Sequence, residues 1–105
     1  MSGTPEPESG VWLCNGRLFL TLPAFDRYLA GCSAVALLAR DAGWLLMPLR
    51  AGAGGLQVKL RNARGERVIE AQEFFRSQGM EDCPARQSIR LRADPSTGAW
   101  QIELG

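Results

Sequence analysis

The sequence predicts a mainly β fold with two short helices, a β-rich α+β domain closed into a small barrel or sandwich. Three observations carry that reading. Apolar residues recur with a period of two along several segments, which is the spacing of a half-buried strand. Tight-turn signals, Asn15-Gly16 and Asn62-Ala63-Arg64-Gly65, stand between such segments. Helical spacing of i, i+3 and i+4 occurs in only two places, each closed by a glycine, Gly31 and Gly79.

In order, residues 1–10 carry Pro5, Pro7, two Glu and two Ser, and read as a tail without a hydrophobic anchor. The remainder, 11–105, has the length of a single domain. Val11-Trp12-Leu13-Cys14 and Arg17-Leu18-Phe19-Leu20 flank Asn15-Gly16, a hairpin that pairs Leu13 with Leu18 and Trp12 with Phe19. Pro23 suits the first residue of a helix, because its missing N–H has no partner there in any case. Phe25, Tyr28 and Leu29 supply the apolar face of that helix.

The next hairpin, 35–39 and 44–49 across Asp41-Ala42-Gly43, loses the alternation. Leu37, Leu38, Leu45, Leu46 and Met47 make both of its faces apolar. Burial on two sides follows, and a chain this short has little to cover the second side. These five residues are therefore the expected interface of a homodimer or higher homo-oligomer. Residues 50–55 are Gly-rich and join the halves; they lack the Gly-Lys-Ser/Thr ending of a phosphate loop.

Leu56, Val58 and Leu60 alternate with Gln57, Lys59 and Arg61. Matching apolar faces predicts a three-residue loop with a Gly bulge, which sets Leu60 opposite Val68 and Arg61 opposite Arg67. Lys59, Arg61 and Arg67 then share a face, with Arg64 at the tip and Ile69 on the same side. Ala71, Phe74 and Phe75 form the second helix, with Glu73 early and Arg76 late as the helix dipole favours. Ile89, Leu91 and Ala93 alternate with Arg90 and Arg92, then pair across an even-numbered loop, Asp94–Thr97, with Trp100, Ile102 and Leu104. Arg90 and Arg92 stand on the outer face beside Gln101 and Glu103.

The two halves, 11–49 and 56–104, share one order: hairpin, helix, hairpin. Gly16 to Phe25 and Gly65 to Phe74 are equally spaced, and Arg27 and Arg76 stand alike after those Phe residues. The pattern predicts a duplicated, pseudo-twofold domain. Over residues 14–49, the run Gly16, Arg17, Leu18, Leu20 and Pro23 resembles the swapped-hairpin AbrB and MraZ families of DNA-binding regulators. That resemblance implies a two-strand, helix, two-strand unit and binding to DNA.

Twelve basic and eleven acidic residues give a net charge of +1. A polyanion surface therefore requires local segregation of charge. The candidates are Lys59, Arg61, Arg64, Arg67, Arg90 and Arg92, toward DNA or an acidic protein partner. Cys14, Cys32 and Cys83 are odd in number with no close pair in sequence, and there is no His. This predicts reduced thiols, no metal site, no cofactor and a cytoplasmic setting. The start has neither the basic nor the apolar segment of a signal peptide, and no run is long enough to span a membrane. Carboxylates such as Glu66, Glu70, Glu81 and Asp82 read as solvated partners of nearby Arg, so no catalytic residue is assigned. The reading is a small non-catalytic module that self-associates, with a DNA-binding regulator as the alternative.

Overall fold

The computed structural model describes residues 9–41, 43–50, 52 and 54–104. Strands β1 (Val11–Cys14) and β2 (Arg17–Leu20) are followed by helix α1 (Leu22–Tyr28), then β3 (Ala34–Arg40) and β4 (Gly43–Leu49). β5 (Leu56–Gln57), β6 (Lys59–Leu60) and β7 (Arg67–Glu70) lead to helix α2 (Gln72–Ser77), β8 (Gln87–Ala93) and β9 (Trp100–Leu104). The predicted tail, 1–10, lies outside the described residues except for Ser9 and Gly10. Those two are already anchored: the Ser9 hydroxyl donates to the Ile89 carbonyl, and the Thr21 N–H donates to Gly10 O.

The described strands form one antiparallel sheet in the order β5-β3-β4-β9-β8-β1-β2-β7-β6. Its two ends belong to one run of chain. Residues 56–57 pair with β3, and residues 59–60 pair with β7. Val58 between them donates its N–H to Ser33 O. The sheet is thus nearly closed, a barrel whose seam is the bend at Val58, and closure removes most free edges.

Exchanging the halves leaves this order unchanged. Substituting the run 56–60 for β1, β7 for β2, β8 for β3 and β9 for β4 returns the same neighbours all round. The spacing that carries Gly16 to Gly65 and Phe25 to Phe74 also carries Phe19 to Val68, and those two face each other across β2 and β7. Each half therefore completes the other: β1 pairs with β8, and β5 with β3.

Most hairpins follow local chemistry. Asn15 and Gly16 have φ of 50° and 74°, both left-handed, and Leu13 faces Leu18 while Trp12 faces Phe19, as expected. α1 begins one residue before Pro23, with Thr21 as N-cap: its hydroxyl accepts from Ala24 N–H at 3.2 Å. β8 and β9 keep the even-numbered loop, but it lies one place further along. Asp94 N–H donates to Ala99 O, so the loop is 95–98.

The β6–β7 hairpin departs from expectation. Lys59 faces Val68 and Leu60 faces Arg67, and Arg61 N–H donates to Glu66 O. The turn is Asn62–Gly65, closed by Gly65 N–H to Asn62 O at 3.1 Å. Matching of apolar faces has no hold here, because Leu60 lies on the seam and is 64% exposed. A local polar cluster sets the register instead. Glu66 accepts from Asn62 Nδ2 and Arg61 Nη1, both at 2.8 Å, while Asn62 Oδ1 accepts from the N–H groups of Arg64 and Glu66.

Inside the barrel lie Val11, Leu13, Leu18, Leu20, Val35, Leu46, Ile69, Ile89, Leu91 and Ile102. α1 leaves one end of β2, while α2 starts beside the other end, where Ala71 N–H donates to Gly16 O. Ala24, Phe25, Tyr28 and Leu29 from the first helical segment and Phe75 from the second complete the core. Trp44 meets Phe75 edge-on at 5.2 Å, and Trp100 meets Tyr28 edge-on at 4.9 Å.

Candidate functional site

Period two decides which side chains leave the barrel, and it makes two outer surfaces. The first is a cationic wall. Lys59, Val68, Phe19, Trp12 and Ser88 form a continuous rung across β6, β7, β2, β1 and β8. Trp12 and Phe19 stack at 5.4 Å with 12° between their planes. The Arg86 guanidinium lies over Trp12 at 4.8 Å, and that of Arg61 over Phe19 at 4.7 Å. The result is a four-layer Arg-Trp-Phe-Arg stack. Each exposed cation–π contact is worth about 0.5–1 kcal/mol. The stack leaves Trp12 only 4% exposed although it stands outside the core.

Carboxylates divide the remaining charge. Arg17 Nε holds both oxygens of Glu70 at 3.0 and 2.7 Å, and Gln72 Nε2 adds a third bond. This bonding, chiefly from Arg17, keeps the Glu70 carboxyl below the ordinary glutamate range. Glu66 is lowered in the same direction, first by the Asn62 hydrogen bond and then by the charges of Arg64 and Arg61. Arg92 Nε lies 3.4 Å from Glu103, and Arg90 faces Glu103 in the β8–β9 ladder.

Of the predicted cationic residues, the fold brings Lys59, Arg61, Arg64, Arg90 and Arg92 to this wall and its tip, and adds Arg17 and Arg86. Arg67 does not join them. It pairs with inward-facing Leu20, and its guanidinium lies over Phe25 of α1 at 4.3 Å. The expected face shared by Lys59, Arg61 and Arg67 is thus corrected by the register of the hairpin, and Ile69, expected beside them, is fully buried in the core. Seven cations stand against Glu66, Glu70, Glu103 and Asp82, whose carboxyl is lowered chiefly by Arg76 and in part by the Arg17 charge, a surplus of three in a chain whose net charge is +1. Arg86 had no sequence signal, since it lies in an irregular segment and its partner Trp12 is far away in the chain.

The second surface is the outer side of β3 and β4. Of the five predicted interface residues, Leu37 and Leu46 face each other and the core. Leu38, Leu45 and Met47 point outward. Ala34, Ala36 and Leu38 stand opposite Leu49, Met47 and Leu45, so six consecutive outer positions are apolar. Leu38 is 42% exposed, and Leu45 only 4%. Beside Leu45 lies a polar cluster. Buried Asp94 accepts from Arg40 Nη1 at 2.9 Å, Gln101 Nε2 at 3.1 Å and the hydroxyls of Ser96 and Thr97. These bonds, Thr97 first, hold the Asp94 carboxyl below the usual aspartate range. Ala42, in the β3–β4 turn, lies outside the described residues.

The cysteines are not scattered as their spacing implies. Cys32 packs against the core. The Cys14 thiol donates to Pro84 O at 3.1 Å, and Asn15 N–H donates to Cys83 O at 2.9 Å, so the stretch Cys14-Asn15 lies alongside Cys83-Pro84 where the β1–β2 turn touches the segment before β8. Among the described residues no group of three or more His, Cys, Asp or Glu side chains is placed to hold a metal ion, and no helix is long and apolar enough to cross a membrane. Comparison with family models, curated proteins and solved structures gives no match to this chain.

Proposed function

We propose that this protein is a small non-catalytic assembly module whose copies join through the outer side of β3 and β4. The supporting observation is the row of six outward apolar positions, which ends at exposed Leu38. Interior packing accounts for Leu37 and Leu46 and leaves Leu38 exposed and Met47 half-buried. Gln57, Arg40, Gln101 and Glu103 stand around the row, giving the apolar centre and polar rim of an interface between subunits. A two-stranded antiparallel surface also meets its own copy readily about a twofold axis. Light scattering on the purified protein across micromolar concentrations tests this reading. A dimer or larger species supports it, and a monomer at the highest concentration removes it.

The surplus charge on the opposite wall supports a second reading, a regulator that contacts the phosphates of DNA, as the resemblance to AbrB and MraZ implies. A phosphate-driven contact loses affinity steeply as salt rises, by roughly one power of salt for each phosphate engaged. Lys59→Glu together with Arg86→Glu should abolish retention of a labelled duplex while leaving the oligomer intact. Binding indifferent to salt, or unchanged in the double variant, excludes this surface. An acidic protein partner on the same wall is distinguished by retention of that partner with none of the duplex.

A further inference from the structure

Two thiols that the sequence separates stand at one junction of the fold. Cys14 ends β1, and Cys83 lies in the irregular segment between α2 and β8. Two hydrogen bonds clamp that segment to the turn, Asn15 N–H to Cys83 O at 2.9 Å and the Cys14 thiol to Pro84 O at 3.1 Å. All three cysteines are partly exposed, and of them Cys32 packs against the core. Cys83 stands in irregular backbone beside a hollow no larger than one water, lined with Leu13, Phe75 and Met80. A disulfide needs neighbouring backbones, an approachable thiolate and local freedom to reach the required dihedral.

We propose that Cys14 and Cys83 are a redox-active pair that closes into an intrachain disulfide on meeting a small-molecule disulfide. The thiolate of one cysteine attacks a sulfur of the small disulfide, and one small thiol leaves. The thiolate of the other cysteine then attacks the protein sulfur of the mixed disulfide and expels the second small thiol. Two electrons pass from the cysteine pair to the small disulfide, and the two thiol protons end on the released thiols. The bond ties the α2–β8 connection to the β1–β2 turn. Arg86 is carried on that connection two residues beyond Pro84, so closure also tethers the cation that stacks on Trp12.

The test uses the full chain and oxidised glutathione. After incubation the remaining thiols are alkylated and the protein is mapped by mass spectrometry. The expected product is a monomeric chain lighter by two hydrogens, with Cys14 and Cys83 peptides joined and Cys32 alone alkylated. Cys14→Ser and Cys83→Ser should each stop at a stable mixed disulfide on the surviving partner. Since neither residue lies in the core cluster, both variants should fold, which circular dichroism checks. Three alkylated thiols, mixed disulfides persisting on both cysteines in the native sequence, a bond to Cys32, or a bond only between chains would each overturn the proposal.

Discussion

Trp44 and Trp100 occupy corresponding places in the two halves, and each meets an aromatic ring on the helix of the other half. Trp44, in the first half, lies edge-on to Phe75 of α2, with 84° between the rings. Trp100, in the second half, lies edge-on to Tyr28 of α1 at the same angle. Each indole also donates a hydrogen bond across the halves, Trp44 Nε1 to Gln78 Oε1 at 3.3 Å and Trp100 Nε1 to Tyr28 O at 3.0 Å. The helices are thus held crosswise, each by the tryptophan of the other half.

This arrangement predicts similar losses from similar truncations. Trp44→Ala and Trp100→Ala should each cost about 3 kcal/mol in urea unfolding, the usual result of removing a large ring that packs on a core. Trp100→Phe keeps a ring and removes the donor to Tyr28 O, so it should cost only about 1 kcal/mol. A loss below that from either alanine variant would show that the helices are held by something else.

Asp94 predicts a pH dependence. Its folded pKa is depressed, first by the Thr97 hydroxyl, then by Ser96, Gln101 and the Arg40 charge. A depressed carboxylate contributes stability that is fully present above its unfolded value, about 3.9, and is lost as pH falls through the folded value. Asp94→Asn should therefore lower the thermal midpoint at pH 7, and the gap to the native protein should narrow steadily below about pH 4. Glu66 and Glu70, also depressed, act in the same direction and remain in both proteins. A gap of constant width from pH 7 to pH 3 would contradict the assignment.

How much of this was legible in the sequence depends on which force set each element. The β1–β2 register was readable, since Asn15-Gly16 dictates its turn and buried Leu13 and Leu18 fix the faces. The outer placement of Arg90 and Arg92 was readable for the same reason, with Ile89 and Leu91 buried between them. The β6–β7 register was not, because exposed Leu60 lets burial decide nothing and Glu66 gathers Asn62 and Arg61 by hydrogen bonding. The strand order was also hidden. β1 with β8 and β3 with β5 are pairings between distant segments, and local patterning carries no partner. The Arg86 contact and the Cys14–Cys83 junction depend on that order, so they were hidden with it.

Two glycines with nearly equal backbone angles should respond unequally. Gly16 has φ of +74°, and a Cβ there would stand 2.8 Å from Gln72 Cα, a backbone atom of α2. Gly31 has φ of +73° with nothing within 4 Å. Gly31→Ala should cost about 1 kcal/mol, the left-handed penalty alone. Gly16→Ala should cost roughly 2 kcal/mol or more, since α2 must also shift. Equal losses by chemical unfolding would mean that α2 does not press on the β1–β2 turn.

The two sides of β4 and its partner strand separate assembly from folding. Leu38 points outward and is 42% exposed, while Leu46 is 1% exposed within the barrel. Leu38→Lys leaves the interior untouched, so the circular dichroism spectrum and thermal midpoint of the isolated subunit should be preserved. Placed against the apolar row of a second copy, the same ammonium should raise the dissociation constant at least about 30-fold, the effect expected when a desolvated apolar contact is lost. Leu46→Lys places a charge where nothing can neutralise it, and the chain should fail to fold at all. Association unchanged in Leu38→Lys, measured by sedimentation equilibrium beside a folded native control, would place the contact between copies on another part of the barrel.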